Sequence, residues 1–243
     1  MDNSVYITLS RQIAAFRHMD SVANNIANAN TTGFQAEKMV FDDFLVDDGN
    51  RHKMAFTQDI ATYHETKPGA IKETGNPLDV AISGPGYFVL EMPGGGRAYT
   101  RAGNFQLDGT GSLVTSSGVP VLDEGGQRII FEQEDKNISI NASGIISVNG
   151  QERNTIDMVE FPNRYDLKQL GNSMFTAGAQ APVQATASKM LQGVLEDSNV
   201  SAISEIVSMT KVNRSVANTA KFIEVMYDLQ RKANNVYTKP PST

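Results

Sequence analysis

The sequence predicts an α+β protein in which an N-terminal and a C-terminal helix pair as a coiled coil, with a central antiparallel β-rich domain between them. Glycine is absent before Gly33 and after Gly193, so both ends lack the residue that most often marks turns. Apolar residues recur every three or four positions at both ends and every two positions in the middle. The predicted regions are an N-terminal helix at 1–32, an extended connector at 33–70, a central β-domain at 71–192, and a C-terminal helix and tail at 193–243, with 1–32 and 197–243 together forming a terminal helical domain.

The N-terminal helix is predicted from an apolar series that runs from Val5 to Ile26. Its gaps are all three or four residues, which is the spacing of a coiled-coil seam. An ordinary amphipathic helix on a globular core has nearly the same spacing and is the alternative. The members of the series that are candidates for helix packing are Leu9, Ile13, Phe16, Val22 and Ile26.

The C-terminal helix is predicted from a second series, which extends from Val200 to Val236. The side-chain oxygens of Asp197-Ser198-Asn199 are N-cap candidates, and Pro240-Pro241 stops the helix. A helix from about 199 to 236 is longer than the usual three turns and requires a partner along its length. The packing candidates in this series are Ile206, Met209, Val216, Ile223 and Met226.

Strands are predicted in the middle of the chain, where apolar and polar residues alternate. The alternation is clear at 78–83, 138–140 and 146–148. Asp108-Gly109 and Asn149-Gly150 suit hairpin turns, because both residue types tolerate a positive φ. If the flanking helices pair, the two ends of this β-domain must lie close together.

Composition excludes several classes of function. The 243 residues include no cysteine and three widely separated histidines, which argues against thiolate sites, disulfides and zinc centres. The net charge of −6 argues against a general nucleic-acid binder. P-loop and nucleophile-elbow motifs are absent, as is an apolar run of membrane-spanning length. We therefore expect no enzyme, no metal, no cofactor and no membrane insertion.

An asparagine-rich segment, Ala23-Asn-Asn-Ile-Ala-Asn-Ala-Asn-Thr-Thr-Gly-Phe34, ends the predicted first helix. Asn24 and Asn28 share one helix face, where amides can bridge between chains and fix a register. Gly33 suits a left-handed helix cap. A merely frayed helix end is the alternative.

This segment resembles the N-terminal signature of the bacterial flagellar rod and hook proteins. Further blocks resemble that family in its own order: Thr74-Gly-Asn-Pro-Leu-Asp-Val-Ala-Ile-Ser-Gly-Pro-Gly-Tyr-Phe88, Tyr99-Thr-Arg-Ala-Gly-Asn-Phe105, Gly111-Ser-Leu-Val-Thr115 and Gln192-Gly-Val-Leu-Glu-Asp-Ser-Asn-Val200. Together they span most of the chain.

The resemblance implies a structural subunit of the flagellar basal-body rod, which packs through its terminal helices against copies of itself and other rod proteins. Length and the modest β-domain favour a proximal rod protein, and a distal rod protein or another axial subunit is the alternative. The chain departs from the family at Asn213-Arg-Ser-Val-Ala217, where Gln-Arg-Ala-Tyr-Glu is usual. The packing residues, with Asn24 and Asn28, become candidates for contacts between subunits.

The resemblance also implies export by the flagellar type III apparatus to a rod that crosses the periplasm. Met1-Asp2-Asn3 does not begin a secretory leader, so we expect export without a cleaved signal peptide. Phe41 and Leu45 match a Phe-x-x-x-hydrophobic export element. The alternative is that both side chains are simply core.

Two functions from other classes remain as alternatives. A polysaccharide-binding β-domain requires aromatic platforms or convergent carboxylates, and the absence of tryptophan disfavours the former. A secreted adhesin or toxin-delivery component is the other.

Overall fold

The computed structural model describes residues 3–47, 53–135 and 137–238. Two long helices, α1 (Asn3–Ala27) and α2 (Ala202–Thr238), lie at opposite ends of the sequence, with strands between them. The protein is therefore α+β with a central antiparallel β-rich region, as predicted.

The chain forms two compact units. The terminal unit comprises Met1–Ile26, Glu37–Thr62 and Ser201–Thr243, and the central unit comprises Ala27–Ala36 and Tyr63–Val200. The first unit draws on three separate parts of the sequence, so the chain passes from one unit to the other several times.

The terminal unit contains both helices and a pair of long strands, β1 (Glu37–Asp47) and β2 (Lys53–His64), which form a two-stranded sheet. These strands occupy much of the segment predicted as an extended connector. Helix α1 ends at Ala27, before the predicted end at 32, because the asparagine-rich segment turns instead of continuing the helix.

Helix α2 begins at Ala202 and not at about 199. The first helical hydrogen bond runs from the Glu205 amide to the Ser201 carbonyl. The predicted N-cap residues 197–199 therefore lie outside the helix.

The strands of the central unit are, in chain order, β3 (Ile71–Glu73), β4 (Val80–Ser83), β5 (Tyr87–Glu91), β6 (Arg97–Thr100), β7 (Gln106–Leu107), β8 (Leu113–Val114), β9 (Ile138–Ile140), β10 (Ile145–Val148), β11 (Gln151–Thr155), β12 (Met158–Glu160), β13 (Lys168–Gly171), β14 (Met174–Thr176), β15 (Val183–Gln184), β16 (Lys189–Gln192) and β17 (Val194–Glu196). The largest sheet has the order β13-β14-β6-β5-β12-β15, and a second has the order β11-β10-β9. The pairs β4–β16, β3–β17 and β7–β8 complete the unit. These pairings are antiparallel.

The predicted turn at Asn149-Gly150 joins β10 to β11. Both residues have positive φ, 52° and 85°, which matches the twist of a tight hairpin. The structure therefore confirms this turn.

Strand β5 lies at the centre of the core. Phe88 and Leu90 belong to one buried hydrophobic cluster, whereas Tyr87 and Val89 belong to another. Since successive strand residues point to opposite faces, the sheet is covered on both sides. This explains why its sequence is almost continuously apolar.

Candidate assembly interface

The two ends of the central unit meet through backbone pairing. Strand β3 pairs with β17, the Gly33 amide donates to the Glu196 carbonyl at 2.7 Å, and the Asn199 amide donates to the Phe34 carbonyl at 3.2 Å. The predicted closeness of the two ends of the β-domain is therefore confirmed.

The side chain of Asn199 bonds to the backbone of both segments by which the chain enters the central unit. Its Oδ1 accepts from the Ala36 amide at 2.6 Å, and its Nδ2 donates to the Glu65 and Lys67 carbonyls, each at 2.8 Å. The residue was predicted as a helix cap, but its amide instead ties three chain segments together.

Gly33 lies close to another loop of the central unit. Its φ is 64°, and a Cβ built on it would lie 2.4 Å from the Ala102 backbone nitrogen. The predicted left-handed conformation is present. The predicted role as a helix cap is wrong, because α1 already ends at Ala27 and the close approach of chain segments requires glycine here.

The side chain of Asn25 links α1 to β1 within the terminal unit. It is 1% exposed, its Nδ2 donates to the Glu37 carbonyl at 2.9 Å, and its Oδ1 accepts from the Glu37 amide at 2.8 Å. Asn25 was not selected from the sequence as a contact residue, and this role was missed. The signal available was an asparagine inside a helix, which is unfavourable without a specific bond.

The two asparagines predicted as subunit contacts also bond within the chain. Asn24 Nδ2 donates to a Glu37 carboxylate oxygen at 3.4 Å, and Asn28 Oδ1 accepts from the Thr31 hydroxyl at 3.2 Å. Both are half-buried.

The apolar series on α1 divides into an exposed and a covered part. Leu9, Ile13 and Phe16 are exposed, whereas Val22 is buried and Ile26 is half-buried. The first three present an apolar surface over the middle of the helix.

Helix α2 shows a similar division around its circumference. Of the predicted packing residues, Ile206 is exposed, while Met209, Val216, Ile223 and Met226 are half-buried. A neighbouring set of large apolar residues is also exposed, and includes members that sequence reasoning did not select: Ile203, Val207, Phe222, Val225, Tyr227 and Leu229.

Charged groups meet where α2 begins. Lys38 Nζ lies 3.1 Å from Glu205 Oε1, and Glu205 is buried. Burial lowers the pKa of His18 on α1, while the Glu205 carboxylate raises it and the Lys38 ammonium lowers it. These three elements of the terminal unit are therefore coupled electrostatically.

The predicted export residues lie on β1. The backbone at Phe41 and Leu45 is extended, but their side chains lie outside the described residues.

Two kinds of feature, metal-binding clusters and membrane-spanning helices, are not found among the described residues. No group of three or more His, Asp or Glu side chains there is placed to hold a metal ion. Neither α1 nor α2, over its described residues, is both long enough and apolar enough to cross a membrane.

Comparison with protein families gives three matches along the chain. Residues 6–35 match the flagella basal body rod protein family, residues 81–148 match the flagellar hook protein FlgE/F/G D1 domain, and residues 191–236 match the flagellar basal body rod FlgEFG protein C-terminal family. The first and third matches cover most of α1 and α2, and the second lies inside the central unit.

Curated relatives match over nearly the whole chain. The flagellar basal-body rod protein FlgF of Caulobacter vibrioides is 34% identical, over 96% of this chain and 97% of its own length. FlgF of Rhizobium meliloti is 36% identical over 90% of each chain, and FlgG of Bacillus subtilis is 31% identical over 97% of this chain and 99% of its own.

The chain thus has a β-rich unit between two helices that expose apolar side chains. Relatives that are flagellar rod proteins match it over nearly its whole length. The chain belongs to the flagellar basal-body rod protein family, whose members are structural proteins of the flagellar basal body. Within this family the similarity favours FlgF over FlgG. These relatives confirm the predictions of a rod protein and of a non-enzymatic role.

Proposed function

We propose that this chain is a subunit of the proximal part of the flagellar rod and polymerises through α1 and α2 into the axial tube that transmits torque from motor to hook. The observation that carries the proposal is the set of large apolar side chains left exposed on both helices, such as Phe16, Ile206 and Phe222. Contiguous exposed apolar surface is unusual on a monomer and marks sites of association.

We infer that α1 and α2 pair as antiparallel helices. Glu205 lies at the start of α2, and its charge acts on His18, which lies in the second half of α1. Ala14 on α1 and Val212 on α2 are both buried. The effect of the Glu205 charge on His18 supports a short coiled-coil contact between the second half of α1 and the start of α2.

A single helix pair leaves part of α2 without a partner. The half-buried positions Met209, Val216, Ile223 and Met226 are separated by seven or three residues, as in a coiled-coil seam. Phe222 and Val225 each lie one position before a seam residue, so they form a second apolar stripe beside the covered one. Burial of such a stripe by a neighbouring subunit contributes roughly 25 cal/mol per Å² before entropy costs.

Head-to-tail association through two different surfaces builds an open helical array, which suits a rod. The partners are copies of this chain and other rod proteins, including relatives of FlgF and FlgG. A rod protein of this family works in the basal body, and we propose a position where the rod crosses the periplasm. The distal rod position is the alternative within the same family.

We propose that the chain reaches the rod through the flagellar type III export apparatus, with Phe41 and Leu45 recognised while the chain is unfolded. We also propose that the terminal helical domain predicted at 1–32 and 197–243 works together with β1 and most of β2, which come from the segment predicted as a connector at 33–70, and that the β-domain predicted at 71–192 forms most of the central unit. Asn24 and Asn28 remain proposed subunit contacts.

Deletion of residues 1–26 tests the proposal, because it removes α1 from the terminal unit and leaves the central unit intact. In cells lacking the intact gene, we expect the truncated chain to be exported but to build no rod, so that swimming is lost. The purified truncated chain should retain the β-sheet circular dichroism and cooperative unfolding of the central unit.

A full-length chain carrying Arg11→Gln and Asp20→Asn on the exposed surface of α1 is the matched control, since it leaves the net charge unchanged. It should swim normally. Normal swimming by the truncated chain would refute the role of α1 in assembly. If the truncated chain is not exported, its defect lies in export and not in assembly. Detection of the protein outside the cytoplasm distinguishes these two outcomes.

A further inference from the structure

A buried ion pair lies inside the central unit. The side chains of Arg101 and Glu196 are 2% and 4% exposed, and Arg101 Nη2 lies 2.6 Å from Glu196 Oε2. Arg101 follows β6 in sequence, and Glu196 is the last residue of β17. The pair therefore joins the main sheet region to the segment that leaves the unit.

The guanidinium group of Arg101 is fully bonded. Its Nε and Nη2 donate to Glu196 Oε2 at 2.8 and 2.6 Å, and Nη1 donates to the Gly84 and Gly86 carbonyls at 2.8 and 2.7 Å. The second Nη2 donor binds the Ile82 carbonyl at 3.0 Å. All five N–H donors of arginine are thus used, which no other side chain can reproduce.

Glu196 extends the network to the two other segments that connect with the rest of the chain. Its Oε1 accepts from the Gly69 amide at 3.0 Å, and its carbonyl accepts from the Gly33 amide at 2.7 Å. Gly33 belongs to the segment that follows α1, and Gly69 belongs to the segment that follows β2. One carboxylate residue therefore contacts both segments by which the chain enters the central unit, and lies on the segment by which it leaves.

A buried ion pair is a poor way to add stability, because desolvation of two charges offsets most of their attraction. Apolar residues of similar size would often serve as well for stability alone. Hydrogen bonds with fixed directions do something that apolar contacts do not, since they select one arrangement of the chain segments that meet.

We propose that Arg101 and Glu196 are positioning residues that fix the place at which residues 33–36, 65–70 and 196–199 come together at the boundary of the central unit. The core around β5 folds through its apolar clusters, and the ion pair selects one register for the three connecting segments. This proposal concerns contacts within the central unit and does not depend on the proposed function in the rod.

Amide hydrogen exchange on the full-length protein tests the proposal. The variants are Arg101→Lys, which keeps the charge but not the five donors, and Glu196→Gln, which keeps the shape but not the charge. We expect both variants to fold, and the Gly33, Gly69 and Ala36 amides to exchange at least about tenfold faster relative to the Val89 amide than in the unaltered protein.

The exposed pair Arg128 and Glu91 provides matched controls within the same unit. The variants Arg128→Lys and Glu91→Gln should leave these exchange ratios unchanged. Because the sequence has no cysteine, a spin label on Asn30→Cys gives a second measurement, and its mobility should increase with Glu196→Gln and not with Glu91→Gln.

The outcomes separate positioning from general stabilisation. Selective loss of protection at Gly33, Gly69 and Ala36, with Val89 still protected, supports the proposal. Unchanged ratios in folded variants would overturn it, because packing alone would then hold the segments. An equal loss of protection throughout the central unit, or failure of both conservative variants to fold, would also overturn it by showing that the pair supports the whole unit.

Discussion

The central and terminal units differ in how completely they bury their apolar side chains. In the central unit, Tyr87, Phe88, Val89 and Leu90 are buried on both faces of one strand. In the terminal unit, large apolar residues of both helices remain in water, and Ile203 is 79% exposed. The central unit also has exposed apolar residues, such as Ile130 and Tyr165, but it encloses two buried apolar clusters, whereas the described helices of the terminal unit expose most of their large apolar side chains.

Polar side chains show a parallel difference. The central unit fixes its entering and leaving segments with the Arg101–Glu196 pair and Asn199, all bonded within the unit. The described part of the terminal unit is held by fewer such links, among which the Asn25–Glu37 pair is the most buried. The buried Arg101–Glu196 pair and the exposed apolar helix surfaces thus lie in different parts of one sequence.

The largest effect is expected from removing the exposed stripe on α2. The double variant Phe222→Gln and Val225→Gln retains good helix formers, so the isolated chain should keep its helical content. Rod assembly should fail and swimming should be lost, because the apolar surface that a neighbour buries is gone. Motility assays and circular dichroism measure the two effects.

The matched control for the stripe is Lys221→Gln with Glu224→Gln, two exposed residues whose joint replacement leaves the net charge unchanged. It should swim normally. Equal loss of swimming in both double variants would show that the helix as a whole, and not its apolar stripe, is required.

A large loss of stability is expected for Gly103→Ala in the central unit. A Cβ at Gly103 would lie 1.6 Å from the Val80 carbonyl oxygen, which belongs to buried backbone in β4. The chain must move to accept it, and we expect a loss of at least about 3 kcal/mol of unfolding free energy. Chemical denaturation measures this.

Gly109→Ala serves as the control for Gly103→Ala, since a Cβ there meets no atom within 4 Å. Its unfolding free energy should change by less than about 0.5 kcal/mol. Similar losses in the two variants would mean that glycine flexibility, and not close packing, decides the result.

A moderate loss is expected for Asn25→Ala in the terminal unit. The substitution leaves the Glu37 amide without its partner on α1, and it leaves the Glu37 carbonyl with only the longer bond from the Ser21 hydroxyl at 3.4 Å, so we expect a cost of about 1–3 kcal/mol. Exposed Asp20→Ala on the same helix should cost less than about 0.5 kcal/mol. Thermal unfolding followed by circular dichroism at a helical wavelength compares the two variants. Equal losses of stability would contradict the role of the Asn25 hydrogen bonds to Glu37.

The sequence predicts the fold class well because glycine placement and apolar spacing report directly on helix and strand. Both helices and the Asn149-Gly150 turn follow from such local signals, whereas the closeness of the ends of the β-domain was predicted from the expected pairing of the helices. The sequence predicts an extended connector at 33–70, where the structure has the two-stranded sheet of β1 and β2. Strand pairing depends on contacts between the two strands, which the pattern of either strand alone does not reveal.

The candidate interface was less predictable. Spacing alone places Val22 and Leu9 in the same series, although one is buried and the other exposed. Phe222 was missed because its stripe lies beside the regular seam. The roles of Asn25 and Asn199 depend on carbonyls and amides far along the chain, which no spacing rule reveals.

Asp157 gives a test of charge burial in the central unit. Burial raises the pKa of its carboxyl group, with Arg97 opposing the shift and the nearby Glu124 and Asp123 adding to it. A raised pKa in the folded state means that stability is greatest below the ordinary value of 3.8 and falls as the pH rises through the folded value. Asp157→Asn should therefore be more stable than the unaltered chain at neutral pH, with a difference that disappears in acid.

The smallest effect is expected at His18, and its sign is opposite. Burial lowers the pKa of His18 in the folded terminal unit below its ordinary 6.5. The stability it contributes is complete above pH 6.5 and is lost as the pH falls from 6.5 through the folded value, because the unfolded chain takes up the proton first. His18→Gln should remove this dependence when helix unfolding is followed at a series of pH values. If the acid-side loss persists unchanged in His18→Gln, another group in the terminal unit is responsible for it. If it disappears, burial of the His18 side chain is its source, which means that this part of α1 is already covered in the isolated chain and is not available to a neighbouring subunit.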